Sequence, residues 1–139
     1  MFDAMREPIV VLHVEDDEQL GASVAAFLRA HGCETATARD GPSALARLAQ
    51  LPAAPDVLIM DFMLPGDMDG ADVAQEICRM LGHVLPTVFL SGALSNAAMP
   101  WLPGAPLLFI AKPVPADTLL AVIESFATLG RFLLAHGRH

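Results

Sequence analysis

Five short apolar runs, separated by stretches with helical spacing, limit this chain to a repeated strand–helix fold. The runs are residues 9–14, 34–38, 57–60, 87–90 and 107–110. The first, third and fourth are nearly continuous in apolar residues. That is expected of parallel strands covered on both faces rather than of half-exposed antiparallel ones.

The intervening segments carry helical stripes. Leu20, Val24, Phe27 and Leu28 form one, closed by Gly32 as a C-terminal stop. Leu45 and Leu48 mark a shorter helix opened by Asp40-Gly41-Pro42 and ended near Pro52, since proline suits a first helical turn and not an interior. Val73, Ile77 and Leu81 mark a third helix, and Leu119, Ile123 and Phe126 mark the last. The fourth helical position is degraded: Pro100 interrupts residues 95–102, so one or two turns and an irregular stretch to Gly104 are expected. The pattern is still βα five times. It predicts a doubly wound parallel sheet with right-handed crossovers, in the order 2-1-3-4-5.

The 139 residues suit one domain with a core of its own, about 8–128, followed by a helical extension or tail over 129–139. A hydrophobic content of 54% argues against disorder. The most apolar stretch, 97–111, is broken by Pro100, Pro103 and Pro106 and is too short to cross a bilayer. Asp3, Arg6 and Glu7 near the N-terminus leave no apolar signal core, so a cytoplasmic location is expected. Sixteen acids against eight Lys and Arg give a net charge of −8. That balance disfavours direct nucleic-acid binding, which needs cations to displace counterions from phosphates. Cys33 and Cys78 lack metal-ligand spacing and are expected as small core or half-buried thiols.

In such sheets chemistry collects at the carboxyl ends of the strands. Here those ends are Glu15-Asp16-Asp17, Asp61, Ser91-Gly92 and Lys112-Pro113. With the predicted order these groups converge on one pocket. Crowded carboxylates repel unless a cation sits among them, and oxygen ligands suit Mg²⁺ better than a soft metal. An acid–Mg²⁺ cluster with a lysine and a hydroxyl is the equipment of phosphoryl transfer.

The stretches Val14-Glu15-Asp16-Asp17-Glu18, Pro55 to Gly66 around Asp61, Leu90-Ser91-Gly92 and Ala111-Lys112-Pro113, in that order and at those separations, resemble the response-regulator receiver family over about residues 8–128. The resemblance implies a flavodoxin-like (βα)₅ fold and a phosphorylation-operated signalling switch. It implies Asp61 as phosphoacceptor, with Mg²⁺ held by Glu15, Asp16, Asp61 and the backbone carbonyl of Met63. Ser91 is the implied switch hydroxyl, Lys112 the partner of Asp61 or its phosphate, and Phe109 the switch aromatic. The Lys112–Pro113 bond resembles one the family holds cis. The implied phosphodonor is a histidine kinase or a phosphotransfer protein.

Two assignments stay open within the acidic run: Glu15 with Asp16, or Asp16 with Asp17. Asp17 and Glu18 also suit the start of the first helix, where carboxylates meet its positive end. His13 stands where the family has an aliphatic residue and is expected as a hydrogen-bonded core residue. The loop Gly66-Asp67-Met68-Asp69-Gly70 carries an insertion relative to the family pattern. The apolar face around Trp101 and Leu102, with Leu107 and Leu108, suggests a homodimer or effector surface in place of a salt-bridged one.

Two other functions compete with the switch. A hydrolase of the haloacid dehalogenase type would need a second acid two residues after its nucleophile, where this chain has Met63. A receiver-shaped scaffold that is never phosphorylated would have no use for the complete pocket set. The sequence leaves open whether the chain is a stand-alone regulator or a receiver cut from a larger one.

Overall fold

The computed structural model describes residues 7–92 and 104–136. Five parallel strands form one sheet in the order β2-β1-β3-β4-β5: β1 Val10–Val14, β2 Glu34–Ala38, β3 Val57–Asp61, β4 Thr87–Ser91 and β5 Leu107–Ala111. Among the described residues four helices accompany them: α1 Glu18–Ala30, α2 Gly41–Gln50, α3 Gly70–Leu81 and α4 Ala116–His136. The expected degraded helix over 95–102 lies outside the described residues, as do Trp101 and Leu102.

The three apolar strands are the central ones, and side chains alternate between two cores. Leu12, Val14, Leu58, Met60 and Phe89 pack with Ala44, Leu48, Val73 and Ile77 on the α2–α3 side. Val11, Val57, Ile59, Val88 and Leu90 pack with Leu28, Leu119, Ile123 and Ala127 on the α1–α4 side. Each fully buried Leu, Ile or Val contributes roughly 1.5–3 kcal/mol, so these strands are the energetic centre of the fold. β3 and β4 each run one residue past the last apolar position, into Asp61 and Ser91, and β5 extends by one residue to Ala111. Polarity marked the end of the first two runs in the sequence, but ladder bonding does not depend on side-chain polarity.

Local signals set the helix ends. Asp17 caps α1 by accepting from the Leu20 backbone N–H at 3.1 Å. Asp40 and Ser43 form a reciprocal capping box on α2, and Asp69 with Asp72 does the same on α3, satisfying donors that the first turn leaves free. Gly32 sits at φ 90° just past α1, the left-handed conformation glycine adopts without penalty.

Two expectations need correcting. Leu20 is 39% exposed, because the buried line of α1 runs through Gly21, Ala25 and Leu28. These small residues bring the helix close to the sheet and turn Leu20 outward. His13 is buried, as expected, but neither ring nitrogen has a hydrogen-bond partner among the described residues. Its β1 position, between Thr37 and Ile59 of the neighbouring strands, places it inside the sheet, away from solvent.

The last helix continues without a break to His136. By length and composition alone it could cross a membrane, with a mean hydropathy of 1.6. Leu119, Ile123, Ala127 and Gly130 are nevertheless buried, and Arg131 is paired to Asp56 at 2.9 Å, so α4 is a packed helix of the domain.

Candidate functional site

The crossover from β1 to β2 on one side and to β3 on the other opens the sheet at the carboxyl end of β1. Glu15 follows that strand, and its backbone N–H donates to the Ala38 carbonyl at 2.9 Å. Asp61 closes β3 beside Leu90 of β4. Ser91 closes β4 opposite Ala111, and the next residue, Lys112, donates its backbone N–H to the Ser91 carbonyl at 2.8 Å. Strand register therefore delivers all four groups to one rim.

The carboxylate oxygens of Glu15, Asp16 and Asp61 lie within 4.8 Å of one another. Glu15 and Asp61 are buried, and Asp16 is exposed. Asp17 turns away to cap α1. Lys112 Nζ stands 3.0 Å from Glu15 Oε1 and 3.2 Å from Asp61 Oδ2, so one ammonium bridges the two buried acids. Burial pushes the Asp61 carboxyl up from its ordinary value, and Lys112 only partly offsets this. Glu15 is raised for the same first reason. At Lys112 burial pulls downward, but the hydrogen bond to Glu15 and the charge of Asp61 outweigh it, and the ammonium is held more firmly protonated. The site is thus a partly desolvated acid cluster with less positive charge than negative.

That arrangement fits a hard divalent cation. The donors are all carboxylate oxygens, and buried Glu15 Oε1 lacks a well-directed hydrogen-bond donor among the described residues. Oxygen clusters of this kind suit Mg²⁺ over softer metals.

The remaining expected residues surround the cluster. The Met63 backbone N–H donates to Asp61 Oδ1 at 3.3 Å. Its side chain is 68% exposed, so only its backbone faces the chemistry and no second acid stands there. Ser91 is buried. The Lys112–Pro113 peptide is cis. Phe109 is half-buried and sits 5.1 Å from the Phe62 ring and 5.5 Å from the Phe89 ring. These three aromatics form a cluster directly behind the acceptor strand.

Gly70 was legible only as a helix start, yet it bears on the site directly. A β-carbon there would stand 2.4 Å from the Asp61 carbonyl oxygen and 2.9 Å from Met60 Cγ. Its backbone N–H donates to the Phe62 carbonyl at 3.0 Å. The glycine lets α3 press against the acceptor's own backbone.

A doubly wound sheet with an acid–lysine cluster at its switch point defines a class of phosphoryl-handling signalling domains, and comparison with known proteins gives the family. Residues 11–124 match the response regulator receiver domain, and the chain belongs to that family of two-component signalling. The sensory transduction protein RegX3 of Mycolicibacterium smegmatis is 45% identical over 67 residues, covering 48% of this chain and 28% of RegX3. The DNA-binding response regulator MtrA of Mycobacterium tuberculosis (strain H37Rv) is 42% identical over 79 residues, 57% of this chain and 31% of MtrA. The chain therefore spans less than a third of the length of these curated relatives. Among solved structures, NtrX from Brucella abortus superimposes with a TM-score of 0.76 at 33% identity, over 90% of this chain and 28% of that one. A receiver domain protein from Clostridium thermocellum gives 0.76 at 25% identity, over 90% and 98% of the two chains.

Proposed function

We propose that Asp61 accepts a phosphoryl group from a phosphohistidine on a histidine kinase or phosphotransfer protein, and that the resulting acyl phosphate switches protein–protein association. The observation that carries this reading is the Lys112 ammonium bridging Glu15 and Asp61 at 3.0 and 3.2 Å in a buried acidic cluster. Glu15, Asp16, Asp61 and the Met63 carbonyl would hold Mg²⁺, which when bound neutralises charge on the phosphoryl oxygens. An Asp61 oxygen forms the new P–O bond in line as the P–N bond breaks, and the imidazole leaves with the electron pair.

Lys112 holds the Asp61 carboxylate ionised and oriented before transfer, and pairs with a phosphoryl oxygen afterwards. Ser91 donates its hydroxyl to another of those oxygens. Its movement toward Asp61 frees space that Phe109 can enter, a two-state rearrangement of the kind that carries a local charge event to a surface. The output surface is the face around Trp101 and Leu102, and the partners are proteins rather than nucleic acid or membrane. The same reading places the chain in the cytoplasm, and it assigns no enzymatic turnover beyond the domain's own phosphorylation and slow self-dephosphorylation.

Two substitutions separate the roles. Asp16→Asn removes an anionic ligand, so Mg²⁺ affinity and phosphorylation by acetyl phosphate both fall steeply. Lys112→Ala leaves Mg²⁺ binding largely intact and impairs transfer or signalling. Mg²⁺ titration by calorimetry reads the difference, and the opposite pattern would reverse the assignments.

A further inference from the structure

Side chains alternate along β1, so His13 and Glu15 both face the α1–α4 side with Val11. Asp61, two residues past Ile59, and Lys112, two past Ile110, lie on that same face. His13 is therefore one row beneath the acid–lysine cluster. It is 1% exposed and Glu15 is 3% exposed. Among the described residues, the buried side-chain atoms without a hydrogen-bond partner are both ring nitrogens of His13, Glu15 Oε1 and Thr35 Oγ1. All but the last belong to these two neighbours on one strand face. A buried polar group without a partner is costly, and native structures keep few of them. An aliphatic side chain would fill this row at no such cost, so packing alone gives no reason for an imidazole.

We infer that His13 is a positioning residue for Glu15: its ring N–H becomes the donor to the Glu15 carboxylate when Lys112 leaves it. This rests on the reading of the cluster as a Mg²⁺-dependent phosphoacceptor site. Glu15 now relies on Lys112, whose Nζ stands 3.0 Å from Oε1 and 3.4 Å from Oε2. The Asp17 backbone N–H, 3.2 Å from Oε2, is its other donor. The same ammonium serves Asp61 at 3.2 Å. Lys112 is repelled by a cation held among these acids and drawn off by a phosphoryl group on Asp61. Either event leaves Glu15 Oε1 buried without its counter-charge.

His13 is placed to take over. Alternate residues on a strand stand about 6.6 Å apart, a gap that an imidazole and a glutamate side chain together span. Burial, with the Lys112 charge adding to it, keeps the ring neutral near pH 7. A neutral imidazole carries one N–H whichever tautomer it adopts, so it donates without taking up a proton. Thr35 Oγ1, the remaining unpartnered donor, belongs to the residue opposite Val11, a row further from Glu15. Gly21 is the α1 residue over Glu15, and it has no side chain to hold the carboxylate in one rotamer. Carboxylates that ligate a metal are themselves held by hydrogen bonds from a surrounding layer, and His13 supplies that layer from below.

Mg²⁺ titration of the full chain by calorimetry, with His13→Leu and His13→Gln alongside, tests this. Leucine removes the donor and should lower Mg²⁺ affinity roughly tenfold, the size of loss seen when a ligand's supporting hydrogen bond goes. Glutamine keeps an N–H and should recover most of that loss. A packing role alone would not separate the two variants in this order, since leucine suits the buried row better. In the parent, the His13 ring N–H proton should shift downfield in NMR spectra as Mg²⁺ saturates. An unshifted ring proton, a His13→Leu variant with parental affinity, or a His13→Gln variant as weak as His13→Leu would overturn the inference. Labelling of Asp61 by acetyl phosphate in the same samples would leave the phosphoacceptor reading standing in each case. A parent that binds no Mg²⁺ and takes no phosphoryl group would overturn that reading and the inference with it.

Discussion

Gly70, the first residue of α3, lies so close to Asp61 that a β-carbon would stand 2.4 Å from the acceptor's carbonyl oxygen. The contact is with backbone, which cannot rotate out of the way. α3 therefore fixes the end of β3, and the acceptor carboxylate is aimed by a helix start nine residues on.

Gly70→Ala should force α3 and the loop over 66–70 outward. Overpacking of this kind costs about 1–3 kcal/mol. The midpoint of urea unfolding should fall accordingly, and the initial rate of phosphorylation by acetyl phosphate should fall with it. A variant with parental stability and rate would show that the site tolerates the helix in a second position.

Arg131 and Asp56 make an ion pair at the foot of the sheet, joined across 75 residues by two hydrogen bonds at 3.1 and 2.9 Å. Asp56 also accepts from the Val10 backbone N–H at 2.8 Å. Arg131→Ala strips a half-buried carboxylate of its charged partner and releases Pro8, and should cost about 2 kcal/mol. The neighbouring exposed Phe132→Ala should cost under about 0.5 kcal/mol. Chemical denaturation of the two variants side by side checks the contrast, and equal losses would contradict it.

His13 gives the fold an acid-side weakness. Burial, with the Lys112 charge adding to it, lowers its pKa from 6.5 to about 4. The folded chain keeps the imidazole neutral while the unfolded chain protonates it. Unfolding therefore takes up a proton between about pH 6.5 and pH 4, and stability is lost as pH falls through that window, by about 3 kcal/mol in all. Glu15 and Asp61, raised by burial, act in the opposite sense, so the comparison has to be made against His13→Leu. The variant should lose markedly less stability than the parent between pH 7 and pH 4. Parallel pH profiles would show that His13 does not titrate on unfolding.

The strand order was legible because three apolar runs needed cover on both faces, and only central parallel strands receive it. Once that order was fixed, Glu15, Asp16, Asp61, Ser91 and Lys112 had nowhere to go but one rim. The misses have a common cause. Leu20 was assigned inward because hydrophobicity was read without size, whereas Gly21 and Ala25 define the face that approaches the sheet. The lack of a hydrogen-bond partner for His13 among the described residues and the reach of Arg131 to Asp56 depend on residues far away in sequence, and periodicity carries no such information. A lone arginine in the apolar C-terminal half of α4 was the available sign of the second. The closeness of Gly70 to Asp61 is likewise a property of packing, visible only once α3 and β3 are placed together.

The measurement that bears most directly on the central claim is intact-mass spectrometry after incubation with acetyl phosphate and Mg²⁺, followed by fragment mapping. The parent should gain one phosphoryl group, located at Asp61, and Asp61→Asn should gain none. Full labelling of Asp61→Asn, or a parent that stays unlabelled while still binding Mg²⁺, would contradict the assignment of Asp61 as the acceptor.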